Sequence, residues 1–264
     1  MNYPVYIPTL GRVGNQKTLA SLPERVHPFV HLVCPHEEAP LHRRNHPGVK
    51  VLACAATGIA ATRQWILDTC EAPICTMVDD DQLFYKRIGK TVSLTGMSPE
   101  EVALMLEEME GLCMIYPMVG LSARQGNNRA EADYLVEASR VHNHYALNVS
   151  LLNAEGIKFS ATKLMEDFYV NLSLLTRGYA TAKVVDRCWN QSESNAEGGC
   201  STYRDAELQA EAAFFLAMEF PQVVEVVEKK TKGGWFGGIR YDVKVQWKKA
   251  LQLGLDKKAN TNKA

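Results

Sequence analysis

The chain has 264 residues, of which 46% are hydrophobic and 22% are charged, and its formal net charge is −1. This composition excludes a largely disordered chain. The longest apolar run, 212–218, is too short for a membrane span of about 20 residues, and no basic and apolar leader follows Met1. Seven cysteines without a CxxC pair favour reduced thiols, so we expect a cytoplasmic protein with no membrane partner.

The first third of the chain alternates short apolar runs with a helical pattern. Apolar residues recur at helical spacing after Thr57, which predicts a helix that Thr57 caps and that ends near Thr69. The apolar runs predict strands at 5–10, 30–34, 49–54 and 74–78.

The rest of the chain continues with helices and strands. Ser98, Pro99 and Glu101 are typical of a helix start, and this helix is expected to run to about Met109 and to stop at Gly111. The later patterns predict a strand at 113–119, a loop at 124–133, a strand or hairpin at 141–152, a helix at 163–176 capped by Thr162, a strand at 179–185, a loop at 191–201, a helix at 205–218, and a β-like or helical end whose last lysine-rich residues fray.

Strands separated by helical connections predict an α/β fold, with a mixed, mostly parallel, Rossmann-like sheet flanked by helices. Residues 221–264 hold ten Lys and Arg against four Asp and Glu, a local net charge of +6, which leaves −7 on residues 1–220. We therefore expect a domain of residues 1–220 and a basic C-terminal extension of residues 221–264. A basic segment on an acidic body favours an anionic partner, and a tail that only aids solubility is the alternative.

Three consecutive carboxylates, Asp79, Asp80 and Asp81, follow the predicted strand at 74–78. Ligands of open α/β sheets bind beyond the carboxyl ends of strands. Because like charges repel, such a cluster favours a cation among its members, and Mg²⁺ or Mn²⁺ prefers carboxylate oxygens and leaves positions for phosphate. The pattern predicts a metal–diphosphate site, with a solvated acidic turn or a helix cap as the alternative.

These motifs together resemble the nucleotide-binding half of a GT-A glycosyltransferase. The matching stretches are Ile7-Pro8-Thr9-Leu10-Gly11-Arg12, Gly58-Ile59-Ala60-Ala61-Thr62-Arg63-Gln64 and Met77-Val78-Asp79-Asp80-Asp81. The resemblance implies a UDP-sugar donor, with the nucleoside in the loop of Pro8 and Thr9 and with Arg63 near the diphosphate. The donor-binding residues that it implies are Pro8, Thr9, Arg12, Arg63, Asp79 and Asp80, and the implied ligands of Mn²⁺ or Mg²⁺ are Asp79 and Asp81.

A second match, Met165-Glu166-Asp167-Phe168, is similar to the acidic helix of inverting members of that family. It implies that Asp167 or Glu166 is the general base that takes the proton of the acceptor hydroxyl. A carboxylate at a helix N-terminus is stabilised as an anion, and this simple electrostatic role is the alternative. Many GT-A enzymes supply a later histidine to the metal, but the last histidines here, His142 and His144, precede the acidic pair.

The C-terminal segment suggests a nucleic-acid acceptor. Lys229, Lys230 and Lys232 lie close to Trp235 and Phe236, which glycines flank on both sides. Basic side chains bind phosphates, and aromatic rings at a loop tip stack on bases. The alternative is a hairpin whose aromatic residues pack on the body of the protein.

The whole pattern also resembles the phage-type, TET-associated glycosyltransferases, through the compact size and the stretch from Gly198 to Arg204. That resemblance implies glycosylation of a 5-hydroxymethyl base such as 5-hydroxymethylcytosine in phage DNA, within the host cytoplasm. Trp189, Tyr203 and Arg204 would then contact the acceptor, although a buried core tryptophan is an equal alternative for Trp189.

Two other classes of protein compete with this interpretation. A sugar-phosphate nucleotidyltransferase would share the sheet and the metal, but Gly11-Arg12-Val13-Gly14 is a poor version of its glycine-rich loop. A non-enzymatic nucleic-acid-binding protein would explain the basic end and not the two acidic motifs. The dinucleotide-binding pattern of a Rossmann oxidoreductase does not follow the first strand. The oligomeric state stays open.

Overall fold

The computed structural model describes residues 1–88, 93–124, 135–191, 203–230 and 238–261. Its centre is a ten-stranded sheet in the order β3-β2-β1-β4-β9-β7-β10-β5-β6, with β8 paired to β10. The strands are β1 (Val5–Pro8), β2 (Val30–Pro35), β3 (Lys50–Cys54), β4 (Ile74–Val78), β5 (Gln82–Arg87), β6 (Leu94–Gly96), β7 (Met118–Ala123), β8 (Leu135–Glu137), β9 (His144–Asn148) and β10 (Ala182–Gln191).

The sheet is mixed, and its first half is parallel. Strands β1 to β4 pair in parallel with one another, and β7 pairs in parallel with β10. Strand β9 lies antiparallel between β4 and β7, and β5 and β8 also run against their neighbour β10. Seven of these ten strands therefore share one direction, and the predicted mixed, mostly parallel sheet is confirmed.

Helices cover both faces of the sheet. They are α1 (Lys17–Ala20), α2 (Ala39–Asn45), α3 (Ile59–Thr69), α4 (Pro99–Leu112), α5 (Val149–Ala154), α6 (Glu166–Thr176), α7 (Ala206–Glu219) and α8 (Trp247–Thr261), with 3₁₀ turns at Glu24–Phe29 and Phe159–Ala161. No helix in the described ranges is long and apolar enough to cross a bilayer.

The alternation of side chains along the central strands fills two cores. On β4, Ile74 and Val78 pack with α4 on one face, whereas Cys75 and Met77 pack with α3 and α6 on the other. Every residue of β4 is buried. A strand that is buried on both faces has a continuous run of apolar residues, which is why the sequence predicted this strand.

The predicted capping box of α4 is confirmed. The Glu101 N–H donates to Ser98 Oγ at 3.3 Å, and the Ser98 N–H donates to Glu101 Oε2 at 2.8 Å. The end of this helix differs from the prediction, because α4 includes Gly111 and ends at Leu112. The predicted strand at 113–119 is therefore displaced, and β7 begins only after Pro117, which disfavours helical geometry in the residue before it.

Three predicted boundaries move, and two of them do so for local reasons. Helix α3 starts after Gly58, which is the N-cap residue in place of the predicted Thr57. Gly58 takes a φ of +87°, which a β-branched residue such as threonine adopts only with strain. Helix α6 starts at Glu166 and not at Lys163, because the Thr162 hydroxyl donates to the Leu164 carbonyl instead of capping the helix. The strand predicted at 179–185 lies at Ala182–Gln191.

The segment 141–152 is a strand followed by a helix, and not a strand or hairpin throughout. Strand β9 ends at Asn148, whose side-chain oxygen accepts the Leu151 N–H at 2.9 Å and caps α5. The apolar alternation continues past Asn148, but the side-chain cap changes the backbone geometry there.

The basic C-terminal extension folds as a hairpin, β11 (Val224–Lys230) and β12 (Ile239–Val245), followed by α8. Its apolar side chains share a third core with α6 and α7. Gly254 of α8 allows close packing, because a Cβ there would lie 2.2 Å from the Gly178 nitrogen and the Leu175 carbonyl oxygen. The lysine-rich end, expected to fray, is helical to Thr261.

Candidate active site

The three consecutive aspartates lie between β4 and β5, where the carboxyl ends of the parallel strands meet. The Thr18 hydroxyl donates to the Asp79 carbonyl at 2.5 Å, and the Thr18 N–H donates to the Asp80 carbonyl at 3.1 Å. The same hydroxyl accepts the Gln82 N–H at 3.0 Å. Helix α1 thus fixes the backbone of the acidic turn in place.

Arg12 neutralises two of the three carboxylates. Its Nη1 lies 2.5 Å from Asp80 Oδ1 and 3.0 Å from Asp81 Oδ2. The Thr9 hydroxyl donates to Asp80 Oδ2 at 2.6 Å and accepts the Gln16 amide at 2.8 Å. The loop after β1 and the acidic turn are therefore one hydrogen-bonded unit, and the predicted residues Thr9, Arg12 and Asp80 lie together. Pro8 is buried at the end of β1.

Arg63 joins the acidic turn to the acidic helix. Its Nη2 donates to Asp79 Oδ1 at 2.7 Å, and its Nη1 pairs with Glu166 Oε1. The guanidinium also lies 5.3 Å from the centre of the Tyr145 ring. Because Arg63 is 4% exposed and both partners are carboxylates, it positions Asp79 and Glu166 relative to each other.

The two carboxylates of the acidic helix have different surroundings. Glu166 is held by Arg63, whereas Asp167 accepts only the Phe168 N–H, at 2.8 Å, among the hydrogen bonds of the described residues. Burial, together with the charge of Glu166, raises the pKa of Asp167 to about 6, with Arg63 and Arg140 acting in the opposite sense. Glu166 is therefore paired with a cation, whereas Asp167 has no ion pair within 4 Å among the described residues.

The acidic turn also holds carboxylates that protonate easily. Burial raises the pKa of Asp79 to about 7, and the charge of Arg63 offsets part of this effect. Burial likewise raises the pKa of Asp80, against the hydrogen bond from Thr9. A further cation at this turn would favour the ionised forms.

The donor set of the turn fits a hard divalent cation in part. Asp81 Oδ1 is buried and has no hydrogen-bond partner in the described structure, so this carboxylate oxygen is able to coordinate a cation. The described residues contain no group of three or more His, Cys, Asp and Glu side chains that could hold a metal ion. His144 pairs with Gln82 at 3.1 Å. The protein thus offers Asp79 and Asp81, and a diphosphate and water would complete the ligand shell.

Of the residues predicted to contact the acceptor, the described Trp189, Tyr203 and Arg204 do not form one surface. The Trp189 side chain is 6% exposed, its Nε1 donates to the Leu121 carbonyl at 3.1 Å, and its ring meets His142 edge-on. This places Trp189 in the core and does not support its predicted role as an acceptor wall. Its indole N–H finds a backbone partner on β7, which lies beside β10 in the sheet.

Tyr203 and Arg204 are held by the protein itself. The Tyr203 hydroxyl accepts the Ile59 N–H at 2.8 Å, so it caps α3 four residues before Arg63. The Arg204 guanidinium donates to Gln209 Oε1, with 2.6 Å from Nη2. Both residues lie near the predicted site elements, and in this conformation both are engaged in structural contacts.

The predicted DNA-binding residues of the extension lie on and beyond the hairpin. Lys229 pairs with Asp242 at 2.7 Å, and Lys230 is exposed at the end of β11. Lys232, Trp235 and Phe236 lie outside the described residues.

Sequence reasoning missed the polar residues that support the acidic turn. Thr18 bonds to the turn, Gln16 to its neighbour Thr9, and the Gln82 N–H donates to the Thr18 hydroxyl. Only Gln82 carried a signal, since it directly follows the three aspartates. Tyr145 lies in the segment 141–152 that was predicted as a strand or hairpin, but its contact with Arg63 could not be predicted from its spacing.

Comparisons with known proteins agree with this geometry. A family model of the TET-associated glycosyltransferases matches residues 3–199. Glucosyl-3-phosphoglycerate synthase from Mycobacterium tuberculosis, solved with Mn²⁺, UDP and glucosyl-3-phosphoglycerate, is 12% identical and superposes with a TM-score of 0.53 over 92% of this chain and 86% of that chain. TarS 1-349 from S. aureus, solved with UDP-GlcNAc, is 14% identical, with a TM-score of 0.51 over 82% of this chain and 67% of that one. No curated protein matches by sequence.

The structural likenesses show the fold, and the family match shows the class of enzyme. Both neighbours are GT-A glycosyltransferases, so the predicted GT-A fold is confirmed. The family match favours a glycosyltransferase over a nucleotidyltransferase or a non-enzymatic nucleic-acid-binding protein. With the acidic turn, the acidic helix and most of its length within the match, the chain belongs to the TET-associated glycosyltransferase family.

Proposed function

We propose that the protein transfers a sugar, with inversion, from a UDP-sugar to the hydroxyl of a 5-hydroxymethyl base in DNA, such as 5-hydroxymethylcytosine. The observation that carries the proposal is the Arg63 bridge, which holds the acidic turn and the acidic helix in one buried network. Such a transfer needs the leaving diphosphate and the attacking hydroxyl at neighbouring positions. The bridge brings together the two segments that would serve them.

On the donor side, the loop of Pro8, Thr9 and Arg12 would receive the nucleoside and ribose, beside Asp79 and Asp80. The likeness to enzymes solved with UDP and Mn²⁺, or with UDP-GlcNAc, supports this choice of donor. Asp79 and Asp81 would hold Mn²⁺ or Mg²⁺, and the free oxygen of Asp81 supports that assignment. When bound, the ion supplies positive charge to the departing diphosphate.

On the acceptor side, Asp167 is the proposed general base. The acceptor oxygen forms a bond to the anomeric carbon of the sugar, the bond from that carbon to the diphosphate breaks with its electron pair, and the hydroxyl proton moves to Asp167. Attack from the face opposite the leaving group inverts the configuration. The enclosed carboxylate of Asp167, with a pKa of about 6, supports this role because the group is ionised at neutral pH and still binds a proton readily.

A DNA acceptor is supported by the family and by charge. Enzymes named for an association with TET proteins suggest a hydroxymethylated base as substrate. The local net charge of +6 in residues 221–264 suits a polyanion, and Lys230 is exposed on the hairpin, with Lys229 and Lys232 beside it in sequence. The basic extension would then guide DNA toward the acidic helix with which it shares a core.

The test is a transfer assay with purified protein, Mn²⁺, a panel of UDP-sugars and a duplex that carries one 5-hydroxymethylcytosine. We expect UDP release matched by one added hexose mass on the oligonucleotide, and no added mass on an unmodified duplex. Asp167→Asn should lose transfer, whereas the matched Asp68→Asn variant, on the exposed side of α3, should retain it. Pyrophosphate formed from a nucleoside triphosphate and a sugar phosphate, without sugar transfer, would contradict the proposal.

A further inference from the structure

A group of cationic side chains lies beside the acidic helix, and no sequence motif predicted it. We name Arg87, Arg140 and Lys183 the cationic cluster. Lys183 on β10 is paired with Gly120 on β7, and a Cβ at Gly120 would lie 2.4 Å from the Val141 side chain. Paired residues of neighbouring strands share a face, so the segment that carries Arg140 and Val141 crosses the sheet on the face of Lys183.

The same segment contacts the acidic helix. The Asn171 side-chain amide of α6 donates to the Ser139 carbonyl at 2.9 Å. The Arg140 guanidinium lies 4.7 Å from the centre of the Phe168 ring, next in sequence to Asp167. The exposed Arg140 therefore lies beside the turn of α6 that carries the proposed base.

Apart from Asp167, whose charge interacts with Arg140, the cationic cluster has no carboxylate counter-charge in the described structure. Arg87 donates to three neutral oxygens, the Val185 and Ala123 carbonyls and the Ser122 hydroxyl. Arg140 and Lys183 have no ion pair with a described carboxylate. Burial lowers the pKa of Lys183, and the charges of Arg140 and Arg87 lower it further. Positive side chains that lie close together in a partly buried site favour the binding of an anionic ligand.

The nearest acidic residues along the adjoining strands are engaged elsewhere. Glu137 on β8 is paired with Ala182, one residue before Lys183, so it points to the opposite face, where it accepts the Tyr116 hydroxyl at 2.5 Å. Asp186 pairs with Arg187 at 3.1 Å. Neither carboxylate neutralises the cluster.

An enclosed histidine nitrogen lies at the same place. His142 Nδ1 has no hydrogen-bond partner in the described structure. Burial lowers the pKa of His142 well below its usual value, and the charges of Arg140 and Lys183 add to the effect, so the ring is neutral. A neutral imidazole can present an N–H to an anion without adding a charge.

We propose that Arg140 and Lys183, supported by the charge of Arg87, form a binding site for a backbone phosphate of the DNA acceptor, next to the base Asp167. This inference rests on the proposed function, because it assumes a DNA acceptor. The donor diphosphate belongs to the acidic turn, and a phosphodiester beside the modified nucleotide is the second anion that the reaction brings. The site would hold the strand so that the hydroxymethyl group reaches Asp167.

The first experiment measures the binding of a fluorescent 5-hydroxymethylcytosine duplex by anisotropy over a range of salt concentrations. Lys183→Gln and Arg140→Gln should each weaken binding and reduce the slope of log Kd against log salt by about 0.7 to 0.9, the value for one phosphate contact. Lys183→Arg should keep the slope. Lys50→Gln, an exposed lysine at the start of β3 on the opposite edge of the sheet, is the matched control and should also keep it. Unchanged slopes in both Gln variants would overturn the inference.

A second measurement uses the wild-type protein and so does not depend on the folding of a variant. Bound duplex should protect Lys183 from acetylation with an activated ester, as read by mass spectrometry, and should leave Lys50 as reactive as before. Equal labelling of Lys183 with and without duplex would refute the site.

Catalysis separates this inference from the proposed function. With 5-hydroxymethyl-deoxycytidine, which has no phosphate, the loss of transfer rate in Arg140→Gln should be at least about 5-fold smaller than with the duplex. Equal losses would refute the phosphate site and leave the proposed function standing. Wild-type protein that transfers sugar to neither acceptor would refute the proposed function itself.

Discussion

Replacing Asp167 by Asn should make the protein more stable and nearly inactive. Folding raises the pKa of this carboxyl from its ordinary value of 3.8 to about 6. Each pKa unit corresponds to about 1.4 kcal/mol, so at neutral pH the buried, ionised group costs about 3 kcal/mol of folding free energy. An isosteric amide removes that charge. The side chain is 7% exposed, so solvent screens little of the effect.

The sign of the pH dependence follows from proton binding. Between pH 3.8 and about 6 the folded protein binds the proton that the unfolded chain has released, so the stability supplied by this group falls as pH rises through that window. The Asn variant has no carboxyl group at this position, so its stability does not fall for this reason as pH rises. It should therefore exceed the wild type by about 3 kcal/mol at pH 7.5, and the difference should vanish below about pH 4.

Urea denaturation at pH 7.5 and at pH 4, followed by circular dichroism, measures both values, and transfer assays on the same samples measure activity. We expect transfer to fall by about 10²-fold or more, since a general base contributes that much. In the wild type the rate should rise with pH up to about 6 and then level off. An Asn variant that is no more stable than the wild type at pH 7.5 would refute the assignment of Asp167. Near-normal transfer by the variant would also refute it.

Three further changes test the rest of the site. Arg63→Met leaves the buried Glu166 and the half-buried Asp79 without their counter-charge and should cost about 3–5 kcal/mol, as measured by urea denaturation; a cost under 1 kcal/mol would contradict the bridge. Asp81→Asn should weaken Mn²⁺-dependent UDP binding by calorimetry, and an unchanged affinity would remove Asp81 from the metal site. Gly254→Ala should destabilise by about 1–3 kcal/mol through overpacking, whereas Gly111→Ala, with open space, should not.

The parts of the fold that the sequence predicted are those with local causes. Strand β4 is apolar throughout because both faces are buried, and the start of α4 is written in the Ser98–Glu101 box. The start of α6 was wrong because Met165 adopts a left-handed conformation, with a φ of 56°, that its sequence neighbours do not require. The strand–helix change at Asn148 depends on one side-chain cap inside an apolar run.

The site shows the same division. The acidic turn and the acidic helix were visible as short motifs, and so was the general position of Arg63. Its partner could not be predicted, because Arg63 and Glu166 are 103 residues apart and meet only when α3 and α6 pack on one face of the sheet. Trp189 was predicted either to contact the acceptor or to be a buried core tryptophan, and its register on β10 places it in the core.

Helix α6 is fixed from three sides, and this explains why so much of the chain surrounds two carboxylates. Arg63 holds its first residue, the segment at 138–143 packs on its side, and α8 packs against its end through Gly254. A general base must stay within hydrogen-bond reach of the acceptor hydroxyl, so rigid support of this helix bears directly on rate. The basic C-terminal extension shares a core with the helix that carries Asp167, so its loss should loosen the proposed base as well as remove positive charge from the surface.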